Sequence, residues 1–122
     1  MNTALWVVQG WLAVLFFSVG VMKLVTPKAE LERRKGMGYA ADRSVAEMKW
    51  IGLAEVLGAL GLVLPWLLGI VPVLTPLAAL GLAATMGGAI MIHYRRNEPV
   101  AVPAVLLTLL LFVVVGRLAF MD

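Results

Sequence analysis

Four long apolar runs, separated by polar stretches, dominate the chain. They cover residues 4–25, 48–68, 73–93 and 100–120. An α-helix needs about 20 mainly apolar residues to cross a hydrocarbon core of roughly 30 Å, and each run has about that length. The pattern therefore predicts an all-α integral membrane protein, in which a single domain over residues 1–122 forms a four-helix bundle. No positive charge precedes the first run, so we interpret it as a retained helix and not as a cleaved signal peptide.

The polar stretches indicate where the second membrane helix begins and ends. Ser44 is followed three residues later by Glu47, a capping box that starts a helix. Pro65 is expected to end this helix, because proline lacks the backbone N–H that a helix interior needs. Apolar and aromatic side chains in and just after the long polar loop are expected at the membrane interface: Met37, Tyr39, Met48 and Trp50.

Small residues predict where helices approach each other closely. Gly52, Gly58 and Gly61 surround Glu55 in the second run and leave room for a neighbouring helix. The third run contains the pairs Ala83–Gly87 and Ala84–Gly88, each four residues apart. This spacing is typical of close packing in lipid, so we expect the third helix to be central to the bundle.

The positive charges predict the orientation of the spans. Two loops, between the first and second spans and between the third and fourth, carry the basic residues Lys28, Arg33, Arg34, Lys35, Arg43, Lys49, Arg95 and Arg96. The N-terminal tail and the loop at 66–76 carry none. By the positive-inside rule the basic loops are cytoplasmic and both termini are non-cytoplasmic, as in a multi-pass protein of the inner membrane.

Composition agrees with a membrane protein and excludes several functions. Of the 122 residues, 62% are hydrophobic and 14% are charged, whereas about 25% are charged in a typical soluble domain. The net charge of +3 does not indicate a nucleic-acid partner, because the basic residues flank apolar runs and form no stripe. The chain has no cysteine, which excludes disulfides and thiol catalysis within it, and no haem or metal-ligand pattern is evident.

Three polar residues are candidates for a catalytic site: Lys23, Glu55 and His93. Glu55 lies deep in the second span, where an unpaired charge costs roughly 3 kcal/mol, so it is either half of an ion pair or a functional group. In the expected topology all three can converge in the cytoplasmic third of the bundle. Alternatively, Lys23 snorkels to the headgroups and His93 is interfacial. Toward the other end Gln9 and Arg117 can meet, or Arg117 is a headgroup anchor.

The order of these motifs resembles the DoxX family, most closely its DoxX-like branch of small four-span proteins. The resemblance rests on four stretches: Phe17–Leu24, Ile51–Pro65, Thr75–Ala79, and Gly88-Ala89 leading to His93. The family takes its name from a subunit of a thiosulfate:quinone oxidoreductase and is linked to membrane redox complexes. The resemblance also implies that Lys23, Glu55 and His93 match the family's recurrent polar positions.

Three functions are open from the sequence. The first is an accessory or binding protein of membrane redox chemistry, with a lipophilic, quinone-like ligand and a membrane protein partner as candidates. The second is a membrane-embedded enzyme with Glu55 as general acid or base on an apolar substrate, tuned by Lys23. The third is a purely structural subunit that docks through glycine-rich faces. A ligand cavity would lie between the first three spans, contain Glu55, and be lined by Phe16, Met22 and Met86.

Overall fold

The structure, a computed structural model, describes residues 2–34 and 37–119, without the side chain of Asp42. The helices are α1 (Asn2–Val25), α2 (Lys28–Leu31), α3 (Val45–Leu68), α4 (Leu74–Arg95) and α5 (Ala101–Ala119), with a short 3-10 helix at Gly38–Asp42. Within the described residues there is no strand, and α1, α3, α4 and α5 are each long and apolar enough to cross a membrane. The prediction of an all-α, four-span fold is confirmed, and the orientation of the termini stays a prediction.

The second membrane helix begins as predicted and ends later than predicted. The Glu47 backbone N–H donates to the Ser44 hydroxyl at 3.0 Å, and the Ser44 N–H donates to the Glu47 carboxylate at 3.4 Å. The prediction that the helix ends at Pro65 is wrong, because α3 continues to Leu68.

A hydrogen bond from the next helix explains why α3 tolerates its proline. Pro65 cannot donate to the carbonyl of Gly61, one turn earlier. The hydroxyl of Thr75, in the first turn of α4, donates to that carbonyl instead, at 2.9 Å. A carbonyl freed at membrane depth is therefore satisfied from a neighbouring helix, which is how membrane helices accommodate proline.

The long loop packs back against the ends of α1, α3 and α4. Apolar side chains from it and from the start of α3 form a small second core: Leu31, Met37, Tyr39, Ala40 and Met48. Met37, Tyr39 and Met48 therefore pack against one another inside the protein, and their position at the membrane interface stays a prediction. Trp50 is 70% exposed, as an interfacial residue would be.

The backbones of α1 and α3 come very close at two glycines. A Cβ atom built on Gly20 would lie 2.7 Å from the Gly52 carbonyl oxygen, and one built on Gly52 would lie 2.7 Å from the Gly20 carbonyl oxygen. α4 packs against both α3 and α5, but its Ala84–Gly88 pair is exposed, and a Cβ on Gly88 would meet nothing within 4 Å. The prediction that this pair makes a close contact is wrong, because that face of α4 points out of the bundle.

Candidate functional site

An ion pair between Lys23 and Glu55 lies in the seam between α1 and α3. Lys23 Nζ donates to Glu55 Oε1 at 2.6 Å. Lys23 is 7% exposed and Glu55 is 1% exposed. Of the two alternatives for Lys23, the ion pair is confirmed and snorkelling is wrong, because the carboxylate holds the amine inside the protein.

Backbone geometry explains how the two charges meet. α1 and α3 run antiparallel, since Gln9 contacts Leu62 while Lys23 contacts Glu55. Side chains on a helix lean toward the N-terminus of their own helix, so on antiparallel neighbours they lean toward each other. The backbones approach closely at Gly20 and Gly52, and the two charged groups meet beside this contact.

Tyr39 and His93 continue the polar cluster toward the long loop. Lys23 Nζ lies 6.0 Å from the centre of the Tyr39 ring, which is near the outer limit of a cation–π contact. The Tyr39 and His93 rings meet edge to face, with centres 6.1 Å apart. Tyr39 therefore lies between the ion pair and His93, and the sequence assigned it to the interface because nothing local indicates that the loop folds back.

His93 has a carboxylate partner of its own. His93 Nδ1 and Glu98 Oε1 are 2.8 Å apart, and the Glu98 N–H donates to the His93 carbonyl at 2.8 Å. Arg96 also approaches Glu98, at 3.6 Å. The tight turn after α4 thus holds Glu98 against His93, whose side chain is 13% exposed. The structure thus connects His93 to the ion pair through Tyr39, and the interfacial alternative for His93 stays a prediction.

An open, mainly apolar groove lies between α3 and α4. Its volume is about 290 Å³, and it is lined by Ala54, Leu57, Gly58, Ala78, Gly81, Leu82 and Thr85. The Thr85 hydroxyl donates to the carbonyl of Gly81 in its own helix at 3.1 Å. Glu55 does not line this groove, and Phe16 and Met86, expected beside Glu55 in a cavity, pack in the main core instead. Among the described residues no three His, Asp or Glu side chains are grouped to hold a metal ion.

A second buried polar cluster occupies the opposite end of the bundle. Arg117 Nε donates to Gln9 Oε1 at 2.5 Å and Arg117 Nη1 donates to Asn2 Oδ1 at 2.6 Å. Gln9 Nε2 in turn donates to the Leu62 carbonyl at 2.5 Å. The predicted meeting of Gln9 and Arg117 is confirmed. Arg117 is not an exposed headgroup anchor, since it is 1% exposed.

Two tryptophans that the sequence analysis did not single out flank Arg117. The centre of its guanidinium lies 4.5 Å from the centre of the Trp66 ring and 5.1 Å from that of Trp6. The sequence does place these tryptophans near the ends of two spans. It does not indicate that both contact the same arginine, because that contact depends on the tertiary fold.

Comparison with known proteins gives one result. A sequence model described as the DoxX-like family matches residues 7–115. No curated protein and no solved structure gives a significant match. The matched region begins in α1 and ends in α5, so it includes Lys23, Glu55, His93 and the groove. The chain is a small multi-pass membrane protein and belongs to the DoxX-like family.

Proposed function

We propose that this chain is an accessory or binding component of membrane redox chemistry in the inner membrane, and that it binds a lipophilic, quinone-like molecule in the groove between α3 and α4. The groove carries the proposal. Its volume of about 290 Å³ is near the lower end of the roughly 300–1,000 Å³ of small-molecule sites. Ala54, Leu57 and Gly81 are exposed on it, so a molecule dissolved in the bilayer can reach it directly. The redox association is what the resemblance to the DoxX family implies.

The ion pair supports a binding role more than a catalytic one. Glu55 is bonded to Lys23 and 1% exposed, so neither group is available to a substrate as the structure stands. Breaking such a buried pair is strongly destabilising. We therefore assign Lys23 and Glu55 to holding α1 on α3, with the groove on the outer side of α3.

Blocking the groove tests the proposal without disturbing the packing. A Cβ built on Gly81 or on Gly87 would meet nothing within 4 Å, but only Gly81 lines the groove. We expect Gly81→Leu to fold and to lose binding of a benzoquinone with a short alkyl tail, measured by titration of the purified protein. Gly87→Leu is the matched control and should bind as the unchanged protein does.

Mass spectrometry of the detergent-solubilised protein identifies the natural ligand. We expect a lipophilic molecule with one polar head group to co-purify with the unchanged protein and with Gly87→Leu, and to be depleted from Gly81→Leu. Equal retention by both variants would contradict the groove as the site. No co-purifying molecule and no quinone binding would leave the structural subunit as the better account.

A second candidate function, a membrane-embedded enzyme that uses Glu55 as general acid or base, is favoured by one observation. Tyr39 and His93 extend from the ion pair toward the half-buried Glu98, so ionisable groups follow one another from the bundle interior to a loop. Such a series could deliver a proton to Glu55. Glu55→Gln keeps the shape and removes the charge. Because Glu55→Gln also leaves Lys23 without a counter-charge, the comparison uses the folded fraction isolated by size-exclusion chromatography. In an enzyme that fraction should lose turnover of the co-purified molecule, whereas in a binding protein it should retain the molecule.

A further inference from the structure

The guanidinium of Arg117 is surrounded by neutral partners. The amide oxygens of Gln9 and Asn2 accept from Nε and Nη1, and the rings of Trp6 and Trp66 flank the group. The remaining nitrogen, Nη2, is buried and has no hydrogen-bond partner among the described residues. An arginine has five N–H donors in a planar fork, so part of this fork is left for another acceptor.

The charge of Arg117 is also uncompensated within the described chain. α5 contains no other charged residue, and α1 contains none except Lys23, which is paired with Glu55. The first turn of α1, where Asn2 contacts Arg117, has no acidic residue, and the N-terminus of a helix adds positive partial charge. Arg117 lies in the last turn of α5, whose C-terminal dipole offsets only about half of an elementary charge.

We propose that Arg117 binds the phosphate of an anionic phospholipid at this end of the bundle. A phosphate supplies both things that the site needs, a negative charge and several acceptor oxygens, and it matches the geometry of a guanidinium. Trp6 and Trp66 are half-buried and belong to the residue type that concentrates at the level of lipid headgroups. Since Nη2 is buried, binding requires a local movement that uncovers it. The site is separate from the groove between α3 and α4, so this inference does not rest on the proposed function.

Lipid binding to the detergent-solubilised protein tests the inference. The probes are phosphatidylglycerol, which is anionic, and phosphatidylcholine, which carries the same phosphate but no net charge, with inorganic phosphate as the headgroup-free source. We expect phosphatidylglycerol to be retained in native mass spectrometry and to raise the melting temperature more than the other two. If the three probes act equally, the proposal is overturned; if inorganic phosphate alone acts, the site takes a free anion and not a lipid.

Matched substitutions locate the effect. Arg117→Gln should weaken phosphatidylglycerol binding roughly ten-fold or more, as expected when a charge-assisted hydrogen bond is lost. Arg95→Gln is the control. Arg95 is an exposed arginine in the last turn of α4, at the end of the bundle that holds His93, so its loss should leave that binding unchanged. Equal losses in both variants would show nonspecific attraction and overturn the proposal.

Two further variants are controls, one for misfolding of Arg117→Gln and one for an acidic residue that competes with the lipid. Arg117→Lys keeps the charge without the planar fork, and we expect it to fold and to bind phosphatidylglycerol with intermediate affinity. Asp122, outside the described residues, is the acidic residue that follows Arg117 in the sequence. We expect Asp122→Asn to leave lipid binding unchanged or stronger. If Asp122→Asn and Arg117→Gln lower the melting temperature equally and the unchanged protein binds no lipid, Asp122 is the counter-ion and the proposal fails.

Discussion

The two ends of the bundle solve the problem of a buried cation in different ways. At one end Lys23 has a carboxylate partner, Glu55, at 2.6 Å. At the other end Arg117 is equally well buried but has only amide oxygens and indole rings as described partners. The first arrangement is electrically neutral, and the second keeps a full positive charge among the residues that the structure describes. A charged residue in a membrane span can therefore be neutralised by a structural partner or can keep its charge for a ligand. The charge of the partner distinguishes these two roles, and the depth of the residue does not.

The strongest test of this comparison is to remove each half of the ion pair. Lys23→Met and Glu55→Leu each leave one buried charge without a partner, so we expect each to lower the free energy of unfolding by about 3–5 kcal/mol. The double variant leaves no charge and should recover part of that loss. Thermal unfolding in detergent measures all three, and strictly additive losses would contradict direct coupling.

The corresponding change at the other end should have a smaller effect. Arg117→Met removes two hydrogen bonds from a charged donor, each worth about 1.5–3 kcal/mol, but it leaves only neutral groups behind and relieves an uncompensated charge. We expect a net loss below that of either half of the ion pair, and no recovery when Gln9→Leu is added. Recovery in this double variant would show that the two ends are alike.

A single methyl group tests whether the Gly20–Gly52 contact places the ion pair. Gly52→Ala puts a Cβ 2.7 Å from the Gly20 carbonyl oxygen, so the helices must move apart at a cost of about 1–3 kcal/mol. Gly87→Ala is the control, because its Cβ meets nothing within 4 Å, and alanine in a helix interior is favoured over glycine by up to about 1 kcal/mol. Equal melting temperatures for the two variants would show that the seam tolerates separation.

Cysteine labelling decides which end faces the cytoplasm and should not change stability. The chain has no cysteine, so Ala41→Cys and Leu68→Cys have no background. Both positions are exposed, whereas the neighbouring Ala40 is fully buried and would not react. We expect an impermeant reagent to label intact cells at position 68 and not at position 41. The reverse pattern would invert the topology.

The sequence allowed prediction of contacts that depend on rare residues, but not of contacts that depend on the path of the chain. Lys23 and Glu55 are rare charges at membrane depth, and a bundle offers each few partners. Gln9 and Arg117 could be matched by the same reasoning. Tyr39 could not, because its position depends on a loop that folds back over the bundle. Continuation of α3 through Pro65 was also missed, because it depends on Thr75, from a different helix.

The close contact of α1 with α3 has a consequence for the order in which the chain enters the membrane. Lys23 lies two residues from the end of α1, where its amine can reach the interface while α1 is alone. Glu55, in contrast, lies ten residues into α3 and has no such escape. Because α1 is synthesised before α3, Lys23 is already in the membrane when the carboxylate of Glu55 enters it. We therefore expect α3 to pack on α1 at Gly20 and Gly52 once both spans are in the membrane, which brings Glu55 to an amine already in place.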